Sequence, residues 1–205
     1  MKRTFLLLFL LMQFWSSCQQ HEPSSKVDQE VLNNCMICHD NKEMQRGPIL
    51  DGLQAEYMLQ QVKKFRIGQR GTHKFDYQGA LMASAIQSLE EDKIASAISE
   101  ISQRKPRPYI RTVKGDVHRG EILYKETCHS CHGENAEGIK DLKTANLAIL
   151  EDWYLLMQLR NFKSSRRGYH ADDIQGQIMR TIVAPLNDKD FKSLVKYISQ
   201  INLKK

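Results

Sequence analysis

Two stretches of the chain share one pattern: Cys35-Met36-Ile37-Cys38-His39 recurs as Cys128-His129-Ser130-Cys131-His132. The chain also repeats beyond them, and after one four-residue insertion the register between the copies becomes 97 residues. The pairs that hold this register include Arg70 and Arg167, Gly71 and Gly168, His73 and His170, Asp76 and Asp173, Gly79 and Gly176, and Met82 and Met179. A duplicated domain is the simplest explanation of such a repeat.

The Cys-x-x-Cys-His pattern is typical of covalent haem c attachment. Two thiols on one helical turn can bond the two vinyl groups of a porphyrin, and the histidine that follows can bind its iron. We therefore predict two covalently bound haem c groups. The predicted thioether residues are Cys35, Cys38, Cys128 and Cys131, and the predicted iron ligands beside them are His39 and His132. A four-cysteine zinc site or a redox dithiol would fit the spacing, but either would leave both histidines without a role.

A protein ligand on the far side of each iron would complete its coordination. Met82 and Met179 occupy equivalent positions, which we predict to lie at the end of a loop before the last helix of each copy. Thioether ligation raises the haem potential, as a high-potential electron carrier requires. The competing ligands are His73 and His170, which we otherwise expect to make hydrogen bonds within the same loop, with the nearby aspartates as partners.

A carbonyl group is expected to orient the first iron-binding histidine. The segment Arg46-Gly47-Pro48 follows His39 closely, and one of its carbonyl oxygens can accept the Nδ1 proton of that imidazole. The second copy has no proline at this place, so the loop from Leu142 to Leu147 must orient His132 in a different way.

Residues 1–17 are predicted to be a lipoprotein-type signal peptide. Lys2 and Arg3 precede an apolar run from Phe5 to Met12, which is too short to span a bilayer. Cys18 is left over after the two cysteine pairs, and we predict that it carries the lipid that anchors the mature protein to a membrane. Ordinary cleavage that leaves a free thiol is the alternative. We expect residues 18–26 to form a tether and the protein to lie in the periplasm or cell envelope.

The remaining sequence predicts an all-α fold. Apolar residues recur at spacings of three and four, and no stretch alternates apolar and polar residues as a half-buried strand would. The predicted helices are Val27–Asn34, Ala55–Phe65, Leu89–Ile101, Val117–Thr127, Asp152–Phe162 and Leu186–Ile201. A Pro- and Arg-containing segment between the copies predicts a stiff, extended linker. We therefore divide the chain into a first haem c domain at 27–103, a linker at 104–114 and a second haem c domain at 115–205.

The basic charge of the chain does not indicate nucleic-acid binding. The formal charge of +6 includes Lys2 and Arg3, and falls to +4 without residues 1–17. The propionates of two haems would bring the protein close to neutrality. No basic helix or basic stripe with interleaved aromatic residues is present, so we expect no nucleic-acid partner.

The motifs together resemble those of the class I cytochromes c. Gly-Pro follows the first Cys-x-x-Cys-His, then come Tyr-x-x-x-Gln-x-x-x-Phe, Arg-Gly-x-His and a methionine before an acidic helix start. In duplicated form, over about residues 27–201, the chain is similar to the two-haem cytochrome c4 family. The ligand pairs that this resemblance implies are His39 with Met82 and His132 with Met179. It also implies two tandem class I cytochrome c domains that pack face to face about a pseudo-twofold axis.

The first copy departs from the family where its first and last helices should cross. Such domains usually cross at a glycine and an aromatic residue, as the second copy does with Gly120, Tyr124 and Tyr197. The first copy has Val27, Val31 and Glu100 at these positions, and Asp40 in the place of Gly133. We predict a different helix crossing and lower stability in the first domain.

Electron transfer is the function that these residues predict. With protein ligands on both faces of each haem, no iron would offer an open position to a substrate, so we expect an electron carrier and not an enzyme. Expected partners are redox proteins of a respiratory chain, such as a terminal oxidase, reductase or dehydrogenase. The alternatives are a di-haem redox enzyme that acts on peroxide or sulfur compounds, and a cytochrome subunit docked to a larger oxidoreductase.

Overall fold

The computed structural model describes residues 27–40 and 47–201. The predictions made for the signal peptide at 1–17, for Cys18, for the tether at 18–26 and for Arg46 lie outside the described residues. Within those residues all regular secondary structure is helical, as predicted. None of these helices combines the length and the apolar character that crossing a membrane requires.

Nine α-helices and one short 3-10 helix are present in the described part of the chain. They are α1 (Gln29–His39), α2 (Ala55–Arg66), α3 (Tyr77–Ile86), α4 (Glu91–Gln103), α5 (Val117–Thr127), α6 (His129–His132), a 3-10 helix (Leu147–Ile149), α7 (Asp152–Lys163), α8 (Ile174–Val183) and α9 (Asp188–Ile201). Each of the six predicted helices is found, and the largest difference is at the end of α1, which continues to His39 where Asn34 was predicted.

Aspartates determine where several helices begin. The side chain of Asp28 accepts a hydrogen bond from the backbone N–H of Val31 at 3.0 Å at the start of α1. Asp116 does the same for the N–H of Arg119 at 3.1 Å at the start of α5. Such bonds satisfy N–H groups that have no partner inside the helix.

The methionine segments differ from the prediction. Met82 and Met179 were expected at the ends of loops, but they lie inside α3 and α8. Each helix is capped by an aspartate whose Oδ1 accepts the N–H of the glycine three residues later at 3.0 Å, in the pairs Asp76–Gly79 and Asp173–Gly176. Those capping residues were visible in the sequence, but a glycine in the first turn weakens the helical pattern.

The two domains cross their terminal helices differently, as predicted. In the second domain α5 and α9 pack closely, because Gly120 brings the α5 backbone against the carbonyl of Ser193. The rings of Tyr124 and Tyr197 then pack with centroids 5.6 Å apart. In the first domain α1 and α4 share a much smaller contact. There the buried side chain of Val31 holds the place of Tyr124.

The segment between α4 and α5 is extended and packed against both domains. Arg107 forms ion pairs with Asp40 and Asp51 of the first domain. Farther along, the backbone N–H groups of Thr112 and Val113 donate to Oδ2 of Asp152 in the second domain, at 2.6 and 2.7 Å. The segment between the domains is therefore fixed to each of them by ion pairs or hydrogen bonds, in addition to joining them covalently.

Candidate haem-binding sites

The first candidate site is at the end of α1. Cys35 and Cys38 lie in its last turns, and His39 is its last residue. Nδ1 of His39 lies 2.7 Å from the carbonyl oxygen of Pro48, which confirms the orienting carbonyl that the sequence predicted. Since a carbonyl can only accept, Nδ1 must carry the proton, and the lone pair of Nε2 remains available to a metal.

Gly47 allows this close approach. A Cβ atom on Gly47 would lie 2.7 Å from Cε1 and 2.9 Å from Nδ1 of His39. Any side chain at this position would therefore displace the ring or the segment that orients it. The glycine has a steric role that the Gly-Pro pattern alone does not specify.

The second candidate site uses the same residue types on a different backbone path. Cys128 ends α5, and the short α6 carries Cys131 and His132. Nδ1 of His132 lies 3.4 Å from the carbonyl oxygen of Ala145, a residue of the loop that was expected to orient it. The chain then turns at Gly133 with φ +82°, whereas its counterpart Asp40 in the first copy has φ −104°.

Burial favours the neutral form of both candidate ligand histidines. It lowers the pKa of His39 and of His132, and in each case the hydrogen bond to a carbonyl opposes the shift only in part. A neutral imidazole is the form that binds a metal, so both side chains suit an iron ligand at neutral pH. The described residues include no cluster of three or more His, Cys, Asp or Glu side chains placed to hold a metal ion.

The sixth-ligand candidates lie on equivalent helices. Met82 and Met179 are half-buried and pack against the hydrophobic core. The competing residues His73 and His170 make hydrogen bonds within their loops, as expected. Each histidine Nδ1, however, accepts a hydrogen bond at 3.2 Å from a backbone N–H group, that of Phe75 or of Asp172, and does not donate to an aspartate side chain.

A positive cluster of one buried arginine, Arg70, and one half-buried arginine, Arg167, lies between the domains. Arg70 and Arg167, equivalent residues of the two copies, share the amide oxygen of Gln61 at 2.8 and 3.0 Å. Each guanidinium also lies over a phenylalanine ring, Phe65 or Phe162, at 4.3 and 4.6 Å from the centroid. Neither guanidinium has a carboxylate within 4.0 Å among the described residues, and Nε of Arg70 has no partner there.

Like charges this close together and partly out of water favour a nearby anion. Bringing a charged group out of water is costly unless it is paired, and arginine pairs best with carboxylate or phosphate groups. Haem carries two propionate carboxylates, so the donor set fits the cofactor that the cysteine motifs indicate. The sequence repeat identified both arginines, but it could not show that Arg70 is buried or that the two side chains meet.

The comparisons with known proteins agree with this geometry. A family model described as cytochrome c matches residues 117–202. Cytochrome c4 of Azotobacter vinelandii is 25% identical over 181 residues, covering 82% of this chain and 84% of that protein. Cytochrome c4 of Pseudomonas aeruginosa is 25% identical over 179 residues, with the same coverage.

Solved structures show the same fold. Cytochrome c4 from Acidithiobacillus ferrooxidans matches with a TM-score of 0.65 at 22% identity, covering 82% of this chain and 98% of that chain. Cytochrome c4 from Pseudomonas stutzeri matches with a TM-score of 0.62 at 22% identity, covering 83% and 96%. The thiosulfate dehydrogenase TsdBA from Marichromatium purpuratum matches with a TM-score of 0.64 at 23% identity, covering 80% of this chain and 36% of that chain.

The fold and the paired motifs define a protein of two class I cytochrome c domains, a class that carries covalently bound haem c and transfers electrons. Within that class the chain is cytochrome c4-like and of the di-haem type, because its matches to cytochrome c4 extend over both halves.

Proposed function

We propose that this chain is an exported electron carrier that binds one haem c in each domain and passes electrons between redox partners of a respiratory chain. The haems would be attached through Cys35 and Cys38 and through Cys128 and Cys131. The irons would be ligated by His39 with Met82 and by His132 with Met179. Cys18 would anchor the protein to a membrane of the cell envelope through a lipid.

The observation that carries the proposal is the duplicated histidine geometry. In each domain the histidine that follows a cysteine pair has Nδ1 directed at a backbone carbonyl, at 2.7 Å in the first domain and 3.4 Å in the second. This arrangement leaves Nε2 free to bind iron and keeps the ring in one tautomer. A histidine with only a structural role would not need a backbone carbonyl as its Nδ1 partner in both copies, which differ in sequence around it.

The chain's own residues would control the cofactor in three ways. Haem supplies reversible one-electron chemistry when it is bound. The histidines and the methionines on α3 and α8 would ligate the iron, and the apolar core around them would limit the access of water. Arg70 and Arg167 would hold propionate carboxylates at the interface and keep positive charge near both haems.

Haem counting and absorption spectroscopy test the proposal. Mature protein made together with the haem c maturation machinery should contain two covalent haems per chain. Replacing both cysteines of one pair by serine should leave one haem, whichever pair is changed. In the oxidised protein, both haems should contribute the weak long-wavelength band of thioether-ligated iron. Met82→His should remove the contribution of the first haem, and Met179→His that of the second. Mature protein without covalent haem would contradict the proposal.

A docked subunit is the second candidate function. The fold match to a thiosulfate dehydrogenase, of which this chain spans 36%, motivates a role within a larger oxidoreductase. In that case the protein should co-purify from membranes with a stoichiometric partner. A free carrier should instead be released from the membrane as a single chain. A high-spin iron signal in the isolated protein would favour the third possibility, a di-haem enzyme.

A further inference from the structure

One ion pair joins the two domains near the helix that carries Met179. Nζ of Lys64, on α2 of the first domain, lies 2.6 Å from Oδ1 of Asp173, and their side chains are 9% and 1% exposed. Nζ of Lys64 also donates to Oε1 of Gln175 at 3.0 Å, and Gln60 donates to the same oxygen at 2.9 Å. The first turn of α8 is therefore held by α2 of the other domain.

Asp173 has two roles at once. Its Oδ1 caps α8 by accepting the N–H of Gly176 at 3.0 Å, and the same oxygen receives the ammonium group of Lys64. A displacement of Lys64 would therefore be transmitted directly to the start of the helix on which Met179 lies. The charged groups that affect Lys64 are Asp173, which favours its protonated form, and Arg70 and Arg167, which oppose it together with burial.

Among the described residues, the arrangement joins the first copy to the second but has no counterpart in the opposite direction. In the repeat register, the equivalent of Lys64 is Asn161 and the equivalent of Asp173 is Asp76. Asp76 caps α3 through Gly79 at 3.0 Å, as Asp173 caps α8. It has no lysine or arginine within ion-pair distance among the described residues. The domain fold therefore does not itself need a lysine at this place.

We propose that Lys64 and Asp173 are positioning residues through which the first domain holds the Met179 side of the second haem, whereas the Met82 side of the first haem has no such support. This inference rests on the proposed function. It predicts that the two haems respond differently when the domain interface is weakened. Loss of the pair should loosen α8 and its methionine while leaving the first haem unchanged.

The test follows the thioether-to-iron band of one haem at a time during heating of the haem-loaded protein. In a Met82→His background only the second haem gives this band. There, Lys64→Asn, which copies the residue of the second domain, should lower the temperature at which the band is lost by about 5 °C or more. Asp173→Asn should act similarly, since asparagine keeps the cap but loses the charge, and Lys64→Arg should retain most of the wild-type value.

Two matched controls separate positioning from general stability. In a Met179→His background, which reports the first haem, Asp76→Asn should leave the band unchanged. Lys63→Asn changes the exposed neighbour of Lys64 and should affect neither haem. Lys64→Asn is measured in both backgrounds. If it lowered the temperature of band loss equally in both, or in neither, the positioning role would be refuted. If the parent protein lacked the bands altogether, the proposed ligands would be wrong, and this inference would fail with them.

Discussion

The two histidines proposed to bind iron differ in how firmly their rings are held. His39 is buried and its Nδ1 approaches the Pro48 carbonyl to 2.7 Å, whereas Nδ1 of the half-buried His132 is 3.4 Å from the Ala145 carbonyl. A shorter bond to a carbonyl makes the imidazole a better electron donor to a metal. The first histidine is thus the more tightly oriented of the two, even though it lies in the domain with the weaker helix crossing.

Gly47 should be the residue at which this orientation is most sensitive. A methyl group there would overlap the His39 ring, so Gly47→Ala should destabilise the haem-loaded protein by about 1–3 kcal/mol, the usual cost of overpacking. Chemical denaturation followed by haem absorbance would measure the loss. Pro48→Ala is the control, because it keeps the carbonyl that accepts the histidine proton and should have a smaller effect. If Gly47→Ala and the wild type were equally stable, the segment around Gly47 would be able to move away from His39 without loss of stability.

At the scale of helices, the crossing of α5 with α9 depends on the absence of a side chain at Gly120. A Cβ atom there would lie 2.6 Å from the carbonyl carbon of Ser193 and 2.8 Å from Cβ of Tyr197. Gly120→Val should force the two helices apart and destabilise the second domain by about 1–3 kcal/mol or more. The reverse change in the first domain, Val27→Gly, should cost less, since α1 and α4 are not in close backbone contact. Thermal unfolding of both variants gives the comparison.

The same difference between helix pairs predicts which domain opens first. The first domain lacks the glycine–tyrosine crossing, so α1 and α4 should exchange their amide hydrogens faster than α5 and α9. Hydrogen exchange of the haem-loaded protein, read by mass spectrometry of peptides from each helix, measures this directly. Slower exchange in α1 and α4 than in α5 and α9 would contradict the predicted order of stability.

Six of the helices were predictable from the sequence, whereas the two helices that carry Met82 and Met179 were not. The apolar pattern predicted α5 at Val117–Thr127, the range that the structure shows. It missed α3 and α8, because a glycine occupies the first turn of each and the buried face is narrow. Among site residues, the Pro48 carbonyl could be predicted from its spacing to His39. The meeting of Arg70 with Arg167 could not, because contacts between copies depend on tertiary packing.

Over the whole molecule, the interface between the domains brings equivalent residues together but is asymmetric in charge. Arg70 and Arg167 share the amide oxygen of Gln61, and Thr72 is hydrogen-bonded to Tyr169. Lys64, however, pairs with Asp173, while Asn161 occupies the equivalent place in the second copy. Two similar haem domains can therefore experience different electrostatic surroundings, which is one way for a duplicated carrier to obtain two different potentials.

Arg70 and Arg167 should raise the potentials of both haems. A positive charge stabilises the reduced, less positive iron, and burial strengthens the effect because the surroundings screen it poorly. Arg70→Gln and Arg167→Gln should therefore each lower a haem potential in a redox titration. Because the two guanidinium groups lie together at the interface, each substitution should affect both haems, although to different extents. Arg166→Gln, next to Arg167 but exposed, is the matched control and should leave both potentials nearly unchanged. If neither substitution changed a potential, the two arginines would not lie beside the haem propionates, and the proposed pairing would be wrong.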